Sequence, residues 1–318
     1  MKAYCLSHRK DVDGLGSGSL AVAATGGQIL LTDYDDMIEK LRSIPSDAER
    51  VVISDLGADS ADFPEFLAEV QRIAASARVT YIDHHYMSNE ARRKLKRTGI
   101  QLVHSVKECA SILTYQTFKD VLPEQARLNA LCGAVTDYMD DSPVAKKMME
   151  RAERHFVLLE ATMLSLALGN HTDEEGYPEM IVGQLAKMKH PHEISGVPES
   201  ALAQLDREAA LGKEVKSGGT KKGNLAYIVT KGYSTSIVSK VLLGAFDVRV
   251  GVALKQKQPG WYEVSLRSTS DSRIHLGRSI GKIAARLGGS GGGHRRAAGC
   301  RIPASKMDEM ISALVKKA

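Results

Sequence analysis

Four apolar segments of this chain each run directly into a carboxylate, and that repeated ending restricts what the chain can fold into. The clearest is Val79-Thr80-Tyr81-Ile82, a β-branched run that reads as a buried strand and ends on Asp83-His84-His85. Lys2 to Leu6 is a second, followed by Ser7-His8-Arg9-Lys10-Asp11-Val12-Asp13-Gly14. Val51-Val52-Ile53-Ser54 delivers Asp55, and Leu131-Cys132-Gly133-Ala134-Val135-Thr136 delivers Asp137. A charge set against apolar surface is unfavourable unless it is paired or holds a metal. One such ending is a solvated loop. Four carboxylate-bearing strand ends in one domain favour a shared cation-binding cleft, placed where open α/β sheets gather their ligands. Imidazole and carboxylate oxygen both ligate divalent cations.

Between these endings, apolar runs alternate with helical patterns. Strands are expected at 28–32 and 100–103, and helices at 35–44, from the Asp59-Ser60-Ala61-Asp62 capping signal to about 75, and at 89–97. That alternation predicts an α/β fold: a mostly parallel sheet with helices on both faces. Gly14-Leu15-Gly16-Ser17-Gly18-Ser19 is not a nucleotide loop, because Ser19 replaces the third glycine and no Gly-Lys-Ser/Thr follows. It reads as a close helix-to-sheet approach beside Asp13. From 110 to 169 the pattern is helical. Ser142-Pro143 starts a helix whose stripe of Met148, Phe156, Leu159 and Met163 reads as core. The polar stretch 170–198 carries His171, His190 and His192 without regular ligand spacing and reads as a surface loop.

A charged helix over 199–216 leads to Ser217-Gly218-Gly219, the expected domain boundary. Beyond it, strands at 225–230, 248–255 and 261–267 and helices at 236–243, 278–287 and 305–317 form a smaller α/β domain. The chain's 318 residues suit two domains. A formal charge of +5 is compatible with a polyanionic ligand but too weak to require one. The widely spread Cys5, Cys109, Cys132 and Cys300 argue against a zinc ribbon and for reduced core thiols. No apolar run approaches the roughly 20 residues of a membrane span, and no signal peptide is visible, so the expectation is a cytoplasmic protein.

Asp-x-Asp-Gly, a lone strand-end Asp, Asp-His-His and a later Asp, in that order, resemble the four motifs of the DHH phosphoesterases. Val264-Ser265-Leu266-Arg267-Ser268 and the run from Gly288-Gly289-Ser290-Gly291-Gly292-Gly293 to His294-Arg295-Arg296-Ala297-Ala298-Gly299 resemble the DHH-associated substrate-binding domain. The likeness covers nearly the whole chain and is nearest to oligoribonucleases of the NrnA type. It implies a DHH catalytic domain over 1–198, a linker helix and hinge over 199–219, and a nucleotide-binding domain over 220–318, with substrate acting in the cleft between domains. It further implies two divalent ions, manganese for preference, with magnesium, cobalt or zinc as alternatives. Asp55 is the implied bridging ligand. Asp11 and Asp13 each serve a different ion, while His84 and Asp137 complete the second site. His8 either ligates the first ion or leaves that place to water. His85 would face the substrate phosphate, Asp83 would orient an imidazole, and Asp83, His84 and His85 together form the implied catalytic group. Arg267, Ser268, Gly291, Gly292, Gly293 and His294 would grip the substrate.

The resemblance therefore implies a phosphoesterase of short single-stranded RNA or DNA or of small nucleotides, with no membrane partner, and leaves room for a homodimer. The rival readings are a phosphatase of 3′-phosphoadenosine 5′-phosphate, a phosphodiesterase of cyclic or linear dinucleotides, and a non-catalytic nucleotide-binding regulator. The last is disfavoured by the retention of every ligand position.

Overall fold

A computed structural model describes residues 2–57, 62–171, 174–293 and 295–318. The chain forms two compact units, Met1–Leu205 and Asp206–Ala318. The first begins with β1 (Ala3–His8), α1 (Val12–Thr25), β2 (Gln28–Thr32), α2 (Met37–Ser43), β3 (Arg50–Ser54), α3 (Phe63–Ala74), β4 (Arg78–Asp83), α4 (Asn89–Arg97) and β5 (Gln101–His104). The strands form an all-parallel sheet in the order β2-β1-β3-β4-β5. Successive strand residues point to opposite faces. Leu6, Ile53 and Tyr81 pack with Phe66 and Leu95 of α3 and α4, whereas Cys5, Val52 and Ile82 pack with Ala21 of α1 on the other face. Both faces are covered, which is why these strands read as continuous apolar runs rather than alternating ones. The expected capping stretch at 59–61 lies outside the described residues. Asp62, its last member, makes no side-chain cap on α3.

The remainder of this unit is helical: α5 (Ala110–Phe118), α6 (Arg127–Thr136), α7 (Pro143–Met149), α8 (Arg154–His171) and α9 (Tyr177–Leu185), followed by α10 (Val197–Gly218), whose residues from Asp206 onward belong to the second unit. Three expectations change here. The helix expected from Ser142 is two helices, and Phe156 and Leu159 are 37% and 66% exposed, while Val157, Ala161 and Leu164 face the core. The helical period was legible, but its phase was set by what α8 packs against. The stretch 170–198 is not a loop throughout, because α9 drives Ile181, Val182 and Leu185 into the core. Its polar flanks mask a short apolar spacing. Ser142 is the N-cap of α7, yet its hydroxyl donates to Glu108 at 2.5 Å, and it is the buried Glu108 that accepts the Val144 N–H at 2.8 Å. Val197 and Ala201 of α10 join the core of the first unit, and Leu211 and Val215 that of the second.

The second unit contains β6 (Thr220–Lys222), β7 (Leu225–Val229), α11 (Thr235–Phe246), β8 (Val250–Gln258), β9 (Trp261–Ser268), α12 (Leu276–Arg286), β10 (Ser290–Gly293), β11 (Ala297–Pro303) and α13 (Met307–Val315). Its sheet has the order β10-β11-β9-β8-β7-β6, and only β7 and β8 run parallel. The glycine run is therefore partly an edge strand rather than a loop. Glycine carries no strand propensity of its own, so pairing to β11 alone decides its conformation. All four cysteines are buried free thiols. Among the described residues, no helix is long and apolar enough to cross a membrane.

Candidate metal centre

Strand register assembles the site. Ser7, Ser54 and Ile82 lie side by side across β1, β3 and β4. One step on, His8 and Asp83, the last residues of β1 and β4, stand level with Asp55, which follows β3. The strand order reverses between β1 and β3, and in open α/β sheets that switch point is where a crevice opens. The Asp55 backbone N–H still bonds the Ile82 carbonyl at 3.0 Å, but its φ of 57° is left-handed. Few side chains adopt that conformation; Asp is among those that do, and such strain gathers at functional sites.

Asp11 caps α1 by accepting the Gly14 N–H at 2.8 Å. A Cβ on Gly14 would stand 2.3 Å from the His8 carbonyl oxygen, so glycine is what lets the helix start this close to β1. Asp13 is buried at the N-terminus of α5, where it accepts the N–H groups of Ala110 at 2.8 Å and Ser111 at 3.0 Å. Asp137, expected at a strand end, instead follows the last residue of the helix α6. That helix approaches because Gly133 lacks a side chain. A Cβ there would lie 2.2 Å from Ser111 Oγ and 2.6 Å from Asp13 Oδ1.

The two oxygens of Asp55 face two different histidines. Oδ1 lies 3.3 Å from His84 Nε2, and Oδ2 lies 3.8 Å from His8 Nδ1. His84 Nε2 is also 3.7 Å from Asp13 Oδ2, and its Nδ1 is 3.6 Å from Asp137 Oδ2. His8 Nδ1 donates to Asp11 Oδ2 at 2.7 Å. Ligand atoms of His8, Asp11 and Asp55 lie within 4.8 Å of one another, and so do those of Asp13, His84 and Asp137, and those of Asp55, His84 and His85. His85 Nδ1 donates to the fully buried Asp83 at 2.8 Å.

Sequence reasoning missed several neighbours. Asp33 lies 3.5 Å from His8 Nε2 and pairs with Lys10. It follows β2 directly, so the rule that found Asp55 would also have found it. His104, the last residue of β5, donates from Nε2 to the His85 carbonyl at 2.7 Å. A carbonyl only accepts, so Nδ1 is the nitrogen that takes the Arg92 N–H at 2.8 Å. Tyr34 Oη accepts the Gly57 N–H at 3.3 Å, beside His8.

Crowding sets the electrostatics. Burial, then the nearby Asp13, Asp11, Asp83 and Asp137, push the Asp55 carboxyl well above the usual carboxylate range. Burial, then Asp13 and Asp11, push Asp137 up to about 7. Burial holds His84 below the ordinary imidazole value. Burial opposes charge on His85 too, but the hydrogen bond and negative charge of Asp83 outweigh it and raise its pKa. Burial and mutual repulsion oppose the ionised forms of Asp55 and Asp137, and a cation placed among them would relieve both. Mixed oxygen and nitrogen donors fit divalent metal ions.

In the second unit, Arg267 lies on β9 and donates to Ser236 Oγ at 2.7 Å and to the Leu266 carbonyl at 3.0 Å. Ser268 is buried, and its hydroxyl has no hydrogen-bond partner among the described residues. Gly291, Gly292 and Gly293 lie on the edge strand β10, whose Gly293 pairs with Ala298, next to the Ala297 that faces Arg267. His294 lies outside the described residues.

Residues 221–318 match the DHHA1 domain. Among solved structures, the chain is similar to the pGpG-specific phosphodiesterase PggH from Vibrio cholerae, with 17% identity and a TM-score of 0.61 over 98% of both chains. It is similar to the DHH domain of a member of the s1p family of ribosomal proteins, with 16% identity and a TM-score of 0.69 over 99% of this chain and 86% of that one. It also resembles RecJ from Thermus thermophilus in complex with Mn2+, with 15% identity and a TM-score of 0.66 over 99% of this chain and 51% of RecJ. This chain thus spans about half the length of that RecJ chain. No curated protein matches it in sequence. The C-terminal third of the chain thus matches the DHHA1 domain, and over its whole length the chain has the fold of DHH-domain structures.

Proposed function

We propose that this protein is a metal-dependent phosphoesterase that hydrolyses phosphodiester bonds in short oligonucleotides or small nucleotides. The observation that carries the reading is Asp55, whose two carboxylate oxygens face His84 on one side and His8 on the other. His8, Asp11 and Asp55 would hold one divalent ion, and Asp13, His84 and Asp137, with Asp55 shared, would hold the other. When bound, such a pair lowers the pKa of a shared water and neutralises phosphoryl oxygens, and Mn2+ is the first choice. Asp13 keeps its position through two amides of α5, and Asp55 through the backbone bond to Ile82. Asp83 holds the Nδ1 proton of His85 and favours the imidazolium, the form in which Nε2 would have a proton to donate to a phosphate oxygen.

In the second unit, the Arg267 guanidinium, with Ser268, and the backbone of Gly291 to Gly293 would bind the part of the substrate that is not cleaved, and His294, the next residue in sequence, is assigned the same role. PggH acts on pGpG, and that likeness favours a linear dinucleotide over a long strand. The test is a panel of linear dinucleotides, 3′-phosphoadenosine 5′-phosphate, cyclic dinucleotides and a long single strand, each with and without Mn2+. Release of mononucleotide from linear dinucleotides that stops in chelator and returns with Mn2+ is the expected result. Undiminished turnover in excess chelator would overturn the metal reading, and efficiency rising steadily with strand length would overturn the substrate reading.

A further inference from the structure

Glu160 projects from α8 and is 2% exposed, a carboxylate on the side of the helix that also buries Val157, Ala161 and Leu164. A buried charge needs a partner. His192 supplies two contacts: its N–H donates to Glu160 Oε2 at 3.0 Å, and its ring Nδ1 bonds Oε1. An ion pair would need nothing more. Yet His190 is also brought in, two residues away across the buried Pro191, and its own N–H is fixed by Glu193 Oε2 at 3.0 Å in a short 3-10 turn. The two imidazoles lie 5.6 Å apart, and the Phe156 ring packs edge-on against both, at 5.3 Å and 6.0 Å. One ring nitrogen from each histidine and one Glu160 oxygen lie within 4.8 Å of one another.

We propose that Glu160, His190 and His192 form a separate site for a single zinc-class ion. Two imidazoles with one carboxylate suit Zn2+, Co2+ or Ni2+ better than Mn2+ or Mg2+, whose preferred donors are oxygens. Three protein ligands leave a fourth tetrahedral position free. His190 stands in the wall of a cavity of about 280 Å³, with Phe156, Val157, Leu128, Arg127 and Glu153 around it, so solvent or a small anion has room to reach that position. None of the three residues belongs to the centre at the strand ends, and the site does not depend on the phosphoesterase reading.

The variant that separates this from an ion pair is His190→Ala, because it leaves the Glu160–His192 pair intact. Full-length protein is stripped with chelator, loaded with Zn2+ and measured for bound metal and for Zn2+ affinity, with thermal melting to confirm the fold. Wild type should bind one more equivalent than His190→Ala, with that equivalent's affinity lost or weakened at least about tenfold in the variant. The Asp55→Ala/Asp137→Ala protein should retain one equivalent, and its Co2+ form should show the visible absorption of four-coordinate cobalt, which adding His190→Ala removes. Equal zinc content and affinity in wild type and His190→Ala would reduce the cluster to an ion pair and overturn the proposal. If the double Asp variant fails to fold, the wild-type and His190→Ala comparison decides alone.

Discussion

The two units present opposite chemistry at the edges of their sheets. At the ends of β1, β3 and β4 the first unit crowds Asp13, Asp55 and Asp83, all buried, with Asp11, Asp137 and three histidines, His8, His84 and His85. At the edge of its sheet the second unit offers β10, a strand of one serine and three glycines. The first surface consists of side-chain charge held by backbone amides and strand register. The second is backbone itself, left open because there are no side chains to cover it. Charge-rich sites tolerate little change of residue type, whereas glycine-rich ones tolerate little change of volume. Mutations should sort accordingly.

The largest effect is expected at Asp55. Asp55→Ala removes a group that serves both sides of the cluster, and should lower kcat/KM on a dinucleotide by roughly 10² to 10⁴, the range a single catalytic group commands. Asp137→Ala touches one side only and should do less. If the order were reversed, Asp55 would not be the shared ligand. Asp83→Asn keeps the shape but weakens the hold on His85, and a loss of about 10- to 100-fold is expected, with the pH optimum shifted down. An unchanged pH profile would make Asp83 structural.

The glycine strand should behave differently. A Cβ on Gly291 would stand 2.4 Å from Cys300 Cβ, whereas one on Gly292 meets nothing within 4 Å. Gly291→Ala should therefore destabilise the protein by about 1–3 kcal/mol in denaturant melts. Gly292→Ala should leave stability alone and raise the KM for dinucleotides a few-fold, provided ligand approaches this backbone. Equal stability losses at the two positions would refute the contrast.

The smallest effect is a slope. Asp137 titrates near 7 in the folded protein but near 3.9 in an unfolded chain. Between about pH 4 and pH 7 the folded state therefore holds a proton that the unfolded state has released, so this group makes metal-free protein less stable as pH rises across that window. Asp137→Asn should flatten the fall of melting temperature with pH. Parallel wild-type and variant curves would show that Asp137 is less crowded than its neighbours imply.

Much of the first sheet was legible because its strands are buried on both faces and announce themselves as apolar runs ending in acid. The same rule, applied to Thr32-Asp33, would have found one more acidic neighbour. His104 and Arg92 were not legible, because their link to His85 runs from the end of β5 and from α4 to a backbone carbonyl that no motif marks. Nor was the strand Ser290–Gly293, whose conformation comes from β11 rather than from its own residues. The cluster of Glu160, His190 and His192 joins residues 30 and 32 positions apart, and only the packing of α8 against the 3-10 turn brings them together.

The sequence by itself determined the chemistry: which side chains end which apolar runs, and that carboxylates and imidazoles outnumber any other group there. Tertiary structure decided the geometry. Parallel register put His8, Asp55 and Asp83 at one level, and close approach at Gly133 brought Asp137 on a helix to a sheet-end site. Periodicity and residue type are local properties, whereas register and helix approach depend on contacts between residues far apart in the chain.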